Sequence, residues 1–575
     1  MRRAFRARLR ILIVGVFAVA LFLVLRLYFV QVVHQEDYAL KAERQYVSSS
    51  ARLYDRGAIF FTRKDGTLIS AATLGTGFTI AMDPSHVKDP EALYASVSAL
   101  ATIDRTAFDQ SIAKTDDPYE VLVKQVPEDV GQILSEKKIP GLIIERNRWR
   151  EYPAGDIASQ TIGFVAYDQD VLVGRYGLER YYEQTLSHNS DGLFGNFFAE
   201  LFASLDNVLA DGKEAKQGDI ITTIEPVVAD KLSSILDGVQ AQYGSVETAG
   251  IIMNPKTGEI IAMEVRPSFD LNNYREADSS RFANPFVEDV REFGSIMKPL
   301  TMTAGLDAGV ITPETTYNDT GCITVNKSKI CNFDLRGRGV VPMQRILSDS
   351  LNTGVSFITG QLGHDRFRDY FMKLGFGTET GIDLPEETRG LVENLKSPRD
   401  VEYYTASFGQ GVAVTPVEMI RALGSLANDG QIVTPHLVKS IRLESGIMKQ
   451  LSWGSPERVF SKEATEQTTH MLVKVVDESL AHGTVKIPEM SVAAKTGTAQ
   501  LAGPGGKYYE SKYLHSFFGY FPAYDPEFVI LLYTREPQGV QYASETLTHP
   551  FMELTHFLIS YYDIAPDRAV YEDPS

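Results

Sequence analysis

Phe293-Gly294-Ser295-Ile296-Met297-Lys298-Pro299-Leu300-Thr301 sets a serine and a lysine three residues apart at the head of a helix-like apolar run from Ile296 to Leu306. Pro299 falls early enough in that run for its missing N–H to cost little. A serine at this position sits in the field of the helix terminus, which favours developing negative charge. Two further segments follow in order, Ser350-Leu351-Asn352 and Lys495-Thr496-Gly497-Thr498. Together the three supply a nucleophile, two lysines and an anion site, the parts needed for acyl transfer through a serine ester.

Each bare pattern recurs elsewhere, and context separates the copies. Ser85-His86-Val87-Lys88 and Ser135-Glu136-Lys137-Lys138 repeat the serine–lysine spacing, Ser187-His188-Asn189 repeats the second motif and Lys256-Thr257-Gly258 the third. Lys256-Thr257-Gly258 lies between the apolar runs Ile251-Ile252-Met253 and Ile260-Ile261-Ala262-Met263, which reads as the turn of a β-hairpin. Val492-Ala493-Ala494, in contrast, runs directly into Lys495, and Ala499-Gln500-Leu501 continues beyond it, so Gly497 falls inside a strand, where glycine permits close backbone approach. An isolated serine like Ser295 would more commonly be an N-cap; three motifs in order favour chemistry.

At 575 residues and 44% hydrophobic content the chain can bury a substantial core and is expected to form at least two domains. A net charge of -18 leaves no basic stripe to neutralise phosphates, so a nucleic-acid partner is not expected. The 10 histidines are scattered without a close His/Cys cluster, and neither a metal nor another cofactor is expected.

Arg2, Arg3, Arg6, Arg8 and Arg10 precede an uncharged run from Ile11 to Leu25, and apolar character resumes after Arg26 through Val33. This predicts a cytoplasmic tail over 1–10 and one transmembrane anchor over 11–33, with everything beyond facing outward from the cytoplasmic membrane. A cleaved signal peptide ending near Ala18-Val19-Ala20 is the rival, but that site falls in the middle of the apolar run. The 2 cysteines, Cys322 and Cys331, would face each other across a hairpin if Asn326-Lys327 is its two-residue turn; a disulfide and two buried free thiols are both open.

Residues 34–217 read as mixed, strand-containing structure, with a hairpin signal at Lys64-Asp65-Gly66. Turn-rich stretches near 189–192 and 211–218 bracket an amphipathic helix over 193–209, with Phe194, Phe197, Phe198, Leu201, Leu205 and Val208 on one face. That stripe is core of its own domain or a partner surface; without lysine or arginine there, adsorption to anionic lipid is disfavoured. From 218 to 575 the pattern becomes helices around an antiparallel sheet: a helix over Val227–Val239, the hairpin at 250–263, the Lys495 strand with a turn at Gly503-Pro504-Gly505-Gly506, and a strand over Phe528–Tyr533. The fold class expected is α+β, with the site at the sheet edge.

Over nearly its whole length the chain resembles the class B penicillin-binding proteins, single-span peptidoglycan transpeptidases. The trio is joined in that likeness by Gly381-Ile382-Asp383-Leu384-Pro385, Ser407-Phe408-Gly409-Gln410-Gly411 and Thr415-Pro416. Arg56-Gly57-Ala58-Ile59, Arg150-Glu151-Tyr152-Pro153 and Gly177-Leu178-Glu179 are similar to the family's non-catalytic pedestal, of dimerisation type, while Phe60-Phe61-Thr62-Arg63 departs from the acidic–basic turn usual there. The resemblance implies a penicillin-binding-protein/serine β-lactamase-like transpeptidase domain after an elongated pedestal. It implies that Ser295 attacks the penultimate D-alanine carbonyl of a stem peptide, that Lys298 is the base, and that Ser350 relays the proton. Lys495 would be the second cation, Asn352 would hold the substrate amide, and Thr496, Gly497 and Thr498 would receive the carboxylate and oxyanion. The partners implied are stem peptides, β-lactams, the membrane, a separate glycan polymerase and other wall-synthesis proteins.

Within the family, the Ser407–Gly411 block and compact pedestal look closer to the septal, cell-division type than to the elongation type. A D,D-carboxypeptidase would use the same acyl-enzyme and let water resolve it. A class A β-lactamase is disfavoured because Ser348-Asp349-Ser350 lacks that group's asparagine and the usable frame is Ser350-Leu351-Asn352. A membrane-anchored scaffold is the non-enzymatic reading, against which the intact trio stands.

Overall fold

The computed structural model of the protein describes residues 55–168, 171–188, 217–503, 505 and 507–568. The expected single-pass anchor, and the membrane localisation built on it, are corrected here: among the described residues no helix is long and apolar enough to cross a membrane. The 11–33 stretch on which both rested lies outside the described residues, as do the 193–209 helix and Pro504 and Gly506 of the expected turn.

The chain forms two compact units, one containing Leu74–Trp149 and the other Arg56–Thr73 with everything from Arg150 onward. The expected hairpin at Lys64-Asp65-Gly66 is present: strand β1 (Ile59–Thr62) pairs antiparallel with β2 (Leu68–Met82), Thr62 opposite Leu68. Gly66 takes φ 83°, which glycine adopts without strain. Beyond Thr73, β2 enters the first unit and pairs with β3 (Glu120–Val126). Helices α1 (Pro90–Ser98), α2 (Arg105–Ile112) and α3 (Glu128–Glu136) close its small core around Ile80, Met82, Leu93, Val97, Phe108, Val126 and Leu134. Asp89 and Asp104 cap α1 and α2 by accepting from Ala92 N–H and Ala107 N–H.

In the second unit the three pedestal-like segments converge. Arg56 Nε donates to Glu179 Oε2 and Arg150 Nε to Glu179 Oε1, both at 2.6 Å, with all three side chains buried. Burial alone would raise the Glu179 pKa, but Arg150 and Arg56 outweigh it and hold the carboxyl below its usual value.

The rest of this unit is the α+β fold expected from sequence. The strands and helices that bear on the site include, in order, β4 (Gly218–Thr222), α4 (Pro226–Tyr243), β5 (Glu247–Met253), β6 (Ile260–Arg266), α5 (Lys298–Asp307), β7 (Cys322–Val325), β8 (Ser328–Cys331), α6 (Asn352–Leu362), α7 (Lys462–Lys474), β9 (Ala493–Ala502), β10 (Tyr508–Phe521), β11 (Phe528–Arg535) and α8 (Thr548–Tyr562). Five strands form one antiparallel sheet in the order β9-β10-β11-β5-β6, so β9, which carries Lys495, is an edge strand. Helix α4 packs on β5, β6 and α8, and α7 packs on β9 and α5. The Lys256-Thr257-Gly258 copy is the β5–β6 turn, as its flanks predict, with Gly258 at φ 87°.

Candidate active site

Alternation along β9 sends Lys495, Gly497 and Ala499 to one face and Thr496 and Thr498 to the other. The first face meets the segment bearing Ser295. Gly294 takes φ 64°, and a Cβ there would lie 2.9 Å from the Thr498 carbonyl oxygen. The chain then makes a tight 3-10 turn, Gly294–Met297, before α5 begins at Lys298. Sequence reading placed one helix start here; the structure divides it, leaving Ser295 partly exposed and Lys298 on the same side one turn on. Ser516 Oγ on β10 donates to the Phe293 carbonyl at 2.8 Å, and Gly294 N–H donates to the Gly409 carbonyl at 3.2 Å. Thr301 Oγ1 donates to the Ser407 carbonyl at 2.9 Å, so the Ser407–Gly411 block braces the turn from the other side.

Gly497 admits no side chain. A Cβ would sit 2.3 Å from Ser516 Oγ and 2.6 Å from the Phe293 carbonyl oxygen. Gly497→Ala is therefore expected to push the Ser295 turn off the strand, lowering stability by about 1–3 kcal/mol and cutting the rate of serine acylation at least about 100-fold. Stopped-flow acylation alongside chemical denaturation would separate the two effects.

Lys298 is fully buried, at 0% exposure, and Lys495 is 3% exposed. Lys298 Nζ donates to Ser350 O at 2.5 Å and to Ser350 Oγ at 3.1 Å. Ser350 reaches that position with φ 54°, a left-handed conformation that a serine adopts only when its surroundings enforce it. Burial, then the Lys495 ammonium, push the Lys298 pKa well below the usual lysine value. Burial pushes Lys495 down to about 8. Both shifts favour the neutral amine, more strongly at Lys298, where the Lys495 charge adds to burial, while Lys495 keeps its proton below about 8. Lys495 Nζ donates to the Thr496 carbonyl at 3.0 Å. Thr498 Oγ1 accepts from Ala543 N–H at 3.0 Å, which leaves its hydroxyl proton available to donate elsewhere.

Asn352 opens α6 and donates from Nδ2 to the Cys331 carbonyl at 2.8 Å. Cys331 is disulfide-bonded to Cys322, and the two face each other in the β7–β8 hairpin, whose turn residues Asn326 and Lys327 both take positive φ. The next residue, Asn332, accepts from Thr353 N–H at 3.2 Å and donates to Asp319 Oδ1 at 2.9 Å. The hairpin therefore fixes the Asn352 end of the cleft. Replacing both cysteines with serine is expected to lower stability by about 2–3 kcal/mol and to raise KM for a stem peptide more than it lowers kcat; denaturation and steady-state kinetics check the pair.

All eight sequence-designated residues thus lie on four pieces of one unit: the Gly294 turn with α5, the turn before α6, the head of α6, and β9. Ser516 and Ala543, which help position them, were not singled out from sequence, and Gly409 was quoted only as part of the family-like Ser407–Gly411 block; Ser516 lies in a strand with no motif to mark it. Among the described residues no group of His, Cys, Asp and Glu could hold a metal ion.

Comparison with known proteins follows the same lines. The model of the penicillin binding protein transpeptidase domain matches residues 248–553, and that of the penicillin-binding protein dimerisation domain matches 55–192. Stage V sporulation protein D of Bacillus subtilis is 28% identical over 561 residues, covering 95% of this chain and 84% of its own. A probable peptidoglycan D,D-transpeptidase PenA of Neisseria meningitidis is 27% identical over 438 residues, 74% of this chain and 71% of its own. Among solved structures, penicillin binding protein 2X of Streptococcus thermophilus shares the fold at a TM-score of 0.71 with 21% identity, covering 89% of this chain and 81% of that one.

Proposed function

Because the chain belongs to the penicillin-binding-protein transpeptidase family, we propose that Ser295 is the acylated nucleophile and Lys298 the base that activates it. The enzyme is a serine D,D-transpeptidase acting on peptidoglycan stem peptides. The observation that carries the assignment of residues is the buried Lys298 amine, hydrogen-bonded to Ser350 and depressed by Lys495.

Neutral Lys298 takes the Ser295 proton as Oγ attacks the carbonyl of the penultimate D-alanine. The tetrahedral oxyanion is received by the N–H groups of Ser295 and Thr498. Lys298 passes its proton through the Ser350 hydroxyl to the departing D-alanine nitrogen, and the amide C–N bond breaks to leave an acyl ester on Ser295. The Thr496 and Thr498 hydroxyls hold the terminal carboxylate, the Lys495 ammonium supplies the positive field that favours it, and Asn352 holds the donor's amide. An amine from a neighbouring stem attacks the ester, gives its proton back along the same path and frees Ser295. A β-lactam enters the first half of this cycle and stays on Ser295.

We add the septal role as a proposal resting on the likeness of the Ser407–Gly411 block to division enzymes. Elongation-type and D,D-carboxypeptidase readings use the same site, and it is this shared acyl-transfer chemistry, rather than a septal address, that family membership carries. Incubating a donor peptide with an amine acceptor and resolving products by mass is the test. Cross-linked peptide with released D-alanine supports the transpeptidase; hydrolysed donor alone would replace it with the carboxypeptidase. Septal recruitment of a fluorescent fusion, with filamentation on depletion, is expected for the division role; lateral-wall localisation and rounding would sink it.

A further inference from the structure

A cavity of about 610 Å³ opens where β9 runs on past Thr498, lined in part by Glu292, Gly411, Gln500, Ala502, Lys512 and Arg535. Its cations are ion-paired, although Arg291 Nε and Arg535 Nε are themselves buried without a hydrogen-bond partner. Arg291 pairs with Glu247 at 2.7 Å and Asp289 at 3.0 Å, Lys512 with Glu536 at 2.6 Å, and Arg535 with Glu536 at 3.6 Å. Glu292 is different. Its Oε1 accepts from Gly411 N–H at 2.9 Å and from the Tyr508 hydroxyl at 3.1 Å, and its Oε2 is buried with no hydrogen-bond partner. It makes no ion pair within 4.0 Å among the described residues. A carboxylate in that state is short of one cation and one hydrogen-bond donor.

The position of the cavity fixes what could supply them. With the donor's terminal carboxylate at Thr496 and Thr498 and its reacting carbonyl at Ser295, the donor chain runs out along β9 at about 3.3 Å per residue. The residue next to the acylated D-alanine then comes level with Gln500–Ala502. In a stem peptide that residue is the diamino acid that supplies cross-linking amines.

We propose that this cavity is the subsite for the side-chain ammonium of the donor's diamino acid, with Glu292 as its anchor. The inference rests on the acyl-transfer reading above. The ammonium donates to Glu292 Oε2, a bond that a donor whose side chain ends in a carboxylate alone cannot make. Burial pushes the Glu292 pKa up, more than the Tyr508 and Gly411 hydrogen bonds pull it down, so the carboxylate gains from an incoming cation.

The test uses two donor peptides that differ only in whether the side-chain amine is free or N-acetylated, with glycine amide as a common acceptor. Wild-type kcat/KM is expected to fall about tenfold on acetylation, the scale of one charge-assisted hydrogen bond. In Glu292→Gln, which keeps an acceptor for Gly411 N–H and Tyr508, that ratio is expected to collapse to about one, and Glu292→Asp is expected to restore part of it. Equal use of both donors by the wild type, a ratio unchanged in Glu292→Gln, or discrimination confined to the amine of the acceptor would each overturn the proposal. Penicillin acylation of wild-type Ser295, measured in parallel, reports on the underlying acyl-transfer reading by itself.

Discussion

Ser295→Ala is expected to abolish covalent labelling by a fluorescent penicillin and to lower donor-peptide turnover by about six orders of magnitude, the scale on which a serine acyl-transfer unit fails when its nucleophile is lost. The side chain is partly exposed on a turn held by backbone contacts: Gly294 N–H to Gly409 and the Phe293 carbonyl from Ser516. Removing one hydroxyl there disturbs none of them, so stability is expected to change by less than about 0.5 kcal/mol. Intact-mass analysis and peptide mapping check the adduct, and denaturant titration checks the fold. An adduct persisting in Ser295→Ala would move the nucleophile elsewhere. A correctly folded wild type that never labels would hand the argument to the scaffold reading.

Lys298→Met is expected to slow acylation about 10³- to 10⁴-fold, the upper part of the range for general-base catalysis. Methionine fills most of the buried volume without the amine, so the loss reports on proton transfer. The pH profile carries the same claim in the wild type. In the proposed mechanism acylation needs neutral Lys298, so the rate is expected to climb as pH rises through its depressed pKa, on a limb well below the ordinary lysine value of 10.5. Carboxylate binding needs charged Lys495, whose cation is lost as pH rises through about 8, and this gives a falling limb. Lys495→Arg, which cannot deprotonate in this range, is expected to move the falling limb out of reach. A wild-type profile flat from pH 6 to 10 would remove the falling limb assigned to Lys495, and an acylation rate that rose only near 10.5 would refute Lys298 as the base.

What the sequence carried best was chemistry tied to short-range pattern. The Lys495 strand, the Lys256 turn and the Lys64–Gly66 hairpin were legible because alternation and turn residues lie within a few positions of each other. The disulfide was half legible: hairpin register placed Cys322 opposite Cys331, but spacing could not distinguish a bridge from two thiols. Arg56, Arg150 and Glu179 were visible only as parts of three family-like segments. That they form one buried ion cluster is a fact of tertiary contact, since 123 residues separate Arg56 from Glu179. Ser516 and Ala543 were hidden for the same reason, as was the contact of Gly409 with Gly294, although Gly409 itself stood within the Ser407–Gly411 block; their hydrogen bonds join residues far apart in sequence. The split of the Ser295 helix into a 3-10 turn and α5 was hidden for a local one. Apolar periodicity marks where a helix lies but not how tightly its first turn is wound.

Gly294, Gly409 and Gly497 interlock so closely that their histories are tied. A Cβ on Gly409 would lie 2.4 Å from the Gly294 carbonyl oxygen, one on Gly294 2.9 Å from that of Thr498, and one on Gly497 2.6 Å from that of Phe293. Selection under an antibiotic has little room at these three positions, because any side chain that hindered the drug would first dislodge the serine that the natural substrate also needs. Escape by substitution is channelled outward, to residues such as Gln500 on the cavity wall, whose side chain can change without moving the backbone that carries Ser295.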